Sequence, residues 1–251
     1  MTTPGGGRVA IVTGAAGGIG SAIVARLIGE GYRVAAVDID AAGLAALVER
    51  IASTALRTFV FDTAGDATRG VEDIVAELGS VHALVNNAGV LRSGDALATS
   101  DSDWAYVMHG SLTGTFQMSR AVLPCLLAQG AGAIVNIGSV AAVVGLKNRV
   151  AYCAAKAGVL GLTRAMAADH AAAGVRINAV NPGTTETAMV AAVIAGSADP
   201  EATRAIWSSR QPVGRMGRPA EIAAAVSFLV SDEASYMSGS VITVDGGLSA
   251  I

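Results

Sequence analysis

Val9-Ala10-Ile11-Val12, followed by Thr13-Gly14-Ala15-Ala16-Gly17-Gly18-Ile19-Gly20, is the stretch whose reading decides the fold. The first four residues are an apolar run of strand length, and the glycines break it. Beyond them Ile19, Ile23, Leu27 and Ile28 recur with helical spacing on one side. A second run, Arg33-Val34-Ala35-Ala36-Val37, ends at Asp38. The order is strand, glycine turn, helix, strand, acid.

A chain that reverses tightly at a strand end presents unpaired helix N-terminal N–H groups to an anion. Gly14 is expected to serve the turn, Gly18 to admit a pyrophosphate close to the backbone, and Gly20 to let the helix sit near the sheet. Asp38 is placed to accept hydrogen bonds from both hydroxyls of an adenosine ribose. The same carboxylate repels a 2'-phosphate, and the turn has no Arg or Lys to offset it, so NAD is expected over NADP. In a chain with 31 glycines the cluster alone is weak; its flanking strands and Asp38 carry the inference.

At 251 residues, 52% hydrophobic and 15% charged, the chain is expected to form one packed domain over residues 1–251. A net charge of -3 speaks against a nucleic-acid surface. No apolar run is long enough to span a membrane, and Met1 to Gly7 lack the apolar core of a signal peptide, so a cytoplasmic protein without a membrane partner is expected. Cys125 and Cys153 are too few for a disulfide framework, and His82, His109 and His170 are too scattered for a metal site. The low charge fraction points to apolar surface buried between subunits.

The spacing predicts helices over 41–53 and 68–78, strands over 57–61 and 81–85, and one helix from about Asp103 to Leu127, capped by Asp101 or Ser102 and bent near Pro124. A strand over 133–137, a helix over 152–173 and a strand over 175–180 follow. Residues 184–218 loosen into helical pieces near 186–195 and 200–209, an insertion suited to a lid. A helix over 219–230 and a strand over 241–244 complete the pattern. Such alternation argues a parallel sheet covered on both faces, with ligands at the strand ends.

Tyr152 and Lys156 stand at i and i+4 on one helix face. An ammonium near a phenol favours the phenolate, which can take a proton from an alcohol as hydride leaves, or return it in reverse. Ser139, at the preceding strand end, is placed to hydrogen-bond the substrate oxygen.

The chain resembles the classical short-chain dehydrogenases/reductases along almost its whole length. The resemblance is carried by T-G-x-x-x-G-x-G at Thr13–Gly20, Asp38, Asp62, N-N-A-G at Asn86–Gly89, Ser139, Y-x-x-x-K at Tyr152–Lys156, and N-P-G at Asn181–Gly183 with Thr187. It implies an α/β Rossmann-like doubly wound sheet of seven parallel strands in order 3-2-1-4-5-6-7, flanked by helices. It also implies that Asp62 meets the adenine edge, Asn87 supports the central strand, and Lys156 contacts the nicotinamide ribose. The implied cofactor contacts are Gly14, Gly18, Ile19, Gly20, Asp38, Ile39, Asp62, Thr63, Asn87, Ala88, Gly89, Tyr152, Lys156, Pro182, Gly183, Thr185 and Thr187. Those to substrate are Ser139, Ala141, Asn148, Tyr152, Gly183 and Met189. A homotetramer is implied, built through the helices around Val107–Phe116 and Tyr152–Ala168 and through the last helix and strand.

One departure stands out. Where the family places an Asn that opens a helix kink and holds a water linked to the Lys, this chain has Ser111. Ser111 is expected to remain catalytically sufficient, its hydroxyl still able to bind a water. The expected pocket, Ala141, Ala142, Leu146, Asn148, Gly183, Met189, Val190, Val193, Ile194 and Trp207, is largely apolar and suits a small cyclic or hydrophobic alcohol or ketone. Arg215 and Arg218 are expected to anchor the return from the insertion. Two alternatives stay open: an NADPH-dependent 3-oxoacyl-thioester reductase, and a nucleotide-binding regulatory or structural subunit of weak activity, the latter motivated by Ser111.

Overall fold

β1 (Val9–Thr13) is buried along its whole length, because it lies at the middle of a sheet whose two faces are both covered. In the computed structural model, which describes residues 7–251, seven parallel strands run in the order β3-β2-β1-β4-β5-β6-β7. They are β1, β2 (Arg33–Asp38), β3 (Leu56–Val60), β4 (Ala83–Asn86), β5 (Gly132–Ile137), β6 (Val175–Pro182) and β7 (Val241–Val244). The pairing Ile11↔Ala35 on one side of β1 and Ile11↔Leu84 on the other fixes the central register.

Side chains alternate faces along each strand. Ala10 and Val12 join the layer containing α1 (Gly18–Gly29), α2 (Ala41–Ile51) and α9 (Pro219–Val230). Val9 and Ile11 join the opposite layer, with α3 (Ala67–Leu78), α5 (Gly114–Gln129) and α6 (Val150–His170). Each fully buried Ile or Leu, such as Ile11, Leu84 and Ile134, contributes about 1.5–3 kcal/mol by leaving water. The doubly wound sheet and its strand order agree with the sequence expectation.

Most helix and strand ends fall within a few residues of those expected. The exception is the single helix foreseen from Asp103 to Leu127. It is α4 (Asp101–Met108), capped by Ser100 rather than Asp101 or Ser102, then a π-helical turn at His109–Thr113, then α5, with Pro124 inside it. The break therefore comes at Ser111. Gly110 and Gly114 allow it, since a Cβ there would lie 2.7 Å from Val90 and 2.7 Å from the Thr63 hydroxyl oxygen respectively.

The short helices α7 (Ala188–Ala195) and α8 (Pro200–Ser209) sit in the insertion, which opens and closes at one place. Glu186 N–H donates to Gly217 O at 2.8 Å and Gly217 N–H to Thr184 O at 2.9 Å. No helix among the described residues is long and apolar enough to cross a membrane. The reading of Met1 to Gly7 as lacking a leader falls, apart from Gly7, outside the described residues.

Candidate active site

The parallel strands deliver their C-terminal ends to one crevice, and the glycine turn forms its floor. Gly14, at φ +62°, makes the reversal after β1, and a Cβ on Gly20 would lie 2.1 Å from the Gly14 carbonyl oxygen. Asn87 fixes the turn from the next strand, its Nδ2 donating to Thr13 O and Gly14 O at 3.0 Å each. Asp38 closes the other side, accepting from Ala16 N–H at 3.0 Å and Asp40 N–H at 3.1 Å. Helix α1 has Gly17 at its N-cap, with no side-chain cap and no acid in its first turn. An uncapped helix end, a glycine cradle and a carboxylate at the end of β2 together fit the phosphates and adenosine of a dinucleotide.

Farther along the crevice, Asp62 accepts from Ala64 N–H at 2.9 Å and lies 3.5 Å from His109 Nε2. Thr63 packs against Gly114, while Ile39 is exposed beside Asp38. Gly183 N–H donates to Val244 O at 3.0 Å, and a Cβ at Gly183 would lie 2.7 Å from the Asp245 Cα. Thr185 Oγ1 donates to Gly183 O, and Thr187 caps α7 by accepting from Val190 N–H. Thr187 also reaches the glycine turn: a Cβ on Gly18 would come within 3.0 Å of it. The insertion thus rests directly on the turn that sequence assigned to a pyrophosphate.

Ser139 follows β5, and Tyr152 and Lys156 lie on α6. Ser139 Oγ accepts from Ala141 N–H at 3.1 Å, which leaves the hydroxyl proton to be donated elsewhere. Burial pushes the Tyr152 phenol above its ordinary value and Cys153 adds to the rise, while the Ser139 hydroxyl beside it and the Arg149 cation oppose that shift. The Lys156 amine donates to Ile137 O at 2.7 Å and lies 5.8 Å from the centre of the Tyr152 ring. Burial lowers the Lys156 ammonium to about 8.

The Ser111 hydroxyl meets the segment after β4. It is fully buried, accepts from Val90 N–H at 3.0 Å and donates to Val90 O at 3.0 Å. The single proton is committed, so the hydroxyl locks the π-helical turn to the segment after β4 instead of donating to a water. Ser111 Oγ and Lys156 Nζ nonetheless border the same spot, lying 3.5 and 3.4 Å from where a Cβ on Gly89 would stand.

Of the expected pocket, Ala141 and Ile194 are buried, whereas Met189 and Val193 are exposed on α7. Asn148 turns the chain into α6 with φ +57°, its carbonyl accepting from Gly94 N–H at 3.1 Å. A cavity of about 280 Å³ under α7 is lined by Val190, Ile194, Arg204 and Met216 among others. A further cavity of about 510 Å³, with Arg8, Tyr32, His82 and Arg176 in its wall, lies at the N-terminal ends of the strands and shares no residue with the crevice. Arg215 pairs with both carboxylate oxygens of Glu221, at 2.9 and 2.7 Å, and holds its acidity at about 2. Arg218 joins the same carboxylate through its backbone N–H, so both arginines secure the end of the insertion.

Sequence reasoning gave no individual role to three contributors. Arg149 acts on the Tyr152 phenol from one turn earlier, its guanidinium held by Ser93 Oγ at 2.8 Å. Asn86 joins a buried network, donating to Asn136 Oδ1 at 2.8 Å and Ser119 Oγ at 2.9 Å. Asn181 bonds the Ser139 backbone. The i, i+3 spacing of Arg149 and Tyr152 was a readable signal; the other two depend on strand register.

Comparison with known proteins agrees with this geometry. A family model described as enoyl-(acyl carrier protein) reductase matches residues 14–249. The chain is 41% identical over 250 residues to 2-(S)-hydroxypropyl-CoM dehydrogenase 3 of Xanthobacter autotrophicus, covering 97% of each. It is 38% identical over 246 residues to a 3-oxoacyl-acyl-carrier-protein reductase of Thermotoga maritima, covering 96% of this chain and 98% of the other. A solved short-chain dehydrogenase/reductase structure from Burkholderia xenovorans superposes with a TM-score of 0.93 at 39% identity, over 98% of this chain and 97% of that one. Near-complete coverage, joined to a crevice that carries the Ser, Tyr and Lys, places this chain in the short-chain dehydrogenase/reductase family of nicotinamide-dependent oxidoreductases.

Proposed function

We propose that the protein interconverts a secondary alcohol and a ketone with NAD, Tyr152 moving the proton. The observation that carries this reading is the Ser139 hydroxyl facing the Tyr152 phenol at the end of β5, with Lys156 one turn along the same helix. A nicotinamide nucleotide, when bound, accepts or supplies the hydride. Ser139 donates its free proton to the substrate oxygen, and Tyr152 takes the alcohol proton in oxidation or returns it in reduction. Those hydrogen bonds stabilise charge developing on that oxygen. Lys156 is assigned to the nicotinamide ribose and to favouring negative charge in the crevice.

Asp38 supports NAD, since no Arg or Lys lies between residues 38 and 43 or in the glycine turn to receive a 2'-phosphate. We take residues 1–251 to act as one domain, with 184–218 covering the substrate and the apolar Ala141, Val190 and Ile194 favouring a small hydrophobic or cyclic compound. Trp104, Tyr106 and Phe116, exposed on α4 and α5, support assembly as a homotetramer.

The Thermotoga maritima relative favours a second reading, NADPH-dependent reduction of a 3-oxoacyl thioester, which Asp38 opposes. A screen of the purified protein with NAD, NADP, varied secondary alcohols and 3-oxoacyl thioesters, read at the nicotinamide absorbance, separates the two. NAD reduction by an alcohol is expected. Turnover only of thioesters with NADPH would establish the second reading, and cofactor binding without hydride transfer across the panel would leave a non-catalytic subunit.

A further inference from the structure

Ser139 can place its hydroxyl only if its backbone is held, and the sheet by itself does not hold it. The β5–β6 ladder ends with Ile137 opposite Val180 and Gly138 N–H donating to Val180 O at 2.8 Å. Ser139 N–H lies one residue beyond that rung, where β6 runs into Pro182 and Gly183. The acceptor comes from a side chain: Ser139 N–H donates to Asn181 Oδ1 at 3.1 Å.

Several features show that this contact is built into the fold. Asn181 is fully buried, and its backbone is fixed by pairing with Thr243 of β7. Its Nδ2 has no hydrogen-bond partner, so the amide oxygen is the polar end in use. Position 138 is fitted to it, because a Cβ on Gly138 would lie 2.1 Å from Asn181 Oδ1. On its other side Ser139 is held by Ala141 N–H on Oγ and by Ala142 N–H on its carbonyl oxygen at 2.9 Å, so Asn181 is what holds the backbone N–H and removing it leaves two of three restraints.

We propose that Asn181 is a positioning residue for Ser139, holding its backbone N–H so that the hydroxyl points at the substrate oxygen and the Tyr152 phenol. This rests on the catalytic reading above. An Asn181 variant should therefore act on the proton-transfer step, and only while Ser139 carries a hydroxyl.

The test is a double-mutant cycle on the full-length protein, loaded with NAD and given the best alcohol from the screen: wild type, Asn181→Leu, Ser139→Ala and the double variant, with Asn181→Asp as the variant that keeps an acceptor. NADH fluorescence titration shows that each protein is folded and loaded. Asn181→Leu is expected to lower kcat about tenfold, as small misplacements of catalytic groups do. It should also move the rising limb of the pH–rate profile to higher pH, and Asn181→Asp should recover most of the rate. In the Ser139→Ala background Asn181→Leu should change kcat less than about twofold. An equal loss in both backgrounds, or wild-type kcat and pH limb in Asn181→Leu, would overturn the proposal while leaving the catalytic reading intact. Wild-type turnover in Ser139→Ala would overturn the catalytic reading and this role with it. If Ser139→Ala is too slow to compare, the pH limb and the Asp rescue decide; if Asn181→Leu does not fold, Asn181→Ala takes its place.

Discussion

Lys156 Nζ donates a 2.7 Å hydrogen bond to the carbonyl oxygen of Ile137, the last residue of β5. That single bond satisfies one of three ammonium donors in a buried position, and burial lowers the ammonium to about 8 from its ordinary 10.5. A lysine whose folded pKa lies below its unfolded one destabilises the fold while both states are protonated. The cost is full below pH 8 and fades as pH rises toward 10.5, where the unfolded chain also loses its proton. Lys156→Met should therefore be inactive but more stable than wild type at pH 7, by about 3 kcal/mol at most. Urea unfolding at pH 7 and pH 10 checks this: the advantage should shrink at the higher pH.

The phenol sets a second pH dependence. Burial raises Tyr152, and the Ser139 hydroxyl and the Arg149 cation oppose it. Oxidation requires the phenolate, so kcat/KM should rise with pH through the phenol's titration. Arg149→Ala removes a favourable charge and should move that limb to higher pH, by a small amount because the guanidinium is only partly buried and is screened. A limb that moves to lower pH would contradict the assignment.

Asp38 should decide the cofactor. Asp38→Ala deletes a carboxylate placed to take charge-assisted hydrogen bonds from ribose, an effect of about 1.5–3 kcal/mol, or roughly 10- to 100-fold in kcat/KM for NAD. The same change should raise kcat/KM for NADP by lifting the repulsion of a 2'-phosphate. Parallel steady-state measurements with both cofactors check the two signs.

Ser111 holds both backbone groups of Val90. Ser111→Ala leaves that pair without its partner in a part-buried place and should cost about 1 kcal/mol of stability, seen as a lower Tm. Ser111→Asn can bridge the same two groups with its amide, so its rate of alcohol oxidation should stay within about tenfold of wild type, a barrier change of roughly 1.4 kcal/mol. A rescue of several orders of magnitude would show that the native Ser is a defect.

The fold was legible because β1 and the glycine turn carry a local signal: strand-length apolar runs alternate with 3.6-residue periodicity, and that alternation allows few topologies. Ser139, Tyr152 and Lys156 were legible from strand-end and i, i+4 placement. Less legible were contacts between residues far apart in sequence. The π-helical turn is set by Val90 and Thr63 packing on the helix from another segment, and helical periodicity carries no trace of it. Likewise, the i, i+4 spacing of Tyr152 and Lys156 gave their shared face but not that the amine turns to Ile137. Asn181 reaches Ser139 only through the pairing of β5 with β6, which the chain does not declare residue by residue.

The most direct test of the central claim is Tyr152→Phe, which removes one hydroxyl and keeps the ring. Hydride transfer from a good alcohol substrate should be measured by stopped flow on protein shown by NADH fluorescence to be folded and loaded. The account predicts a loss of at least about a thousandfold, within the range for removing a positioned general base. Hydride transfer at close to the wild-type rate would contradict it.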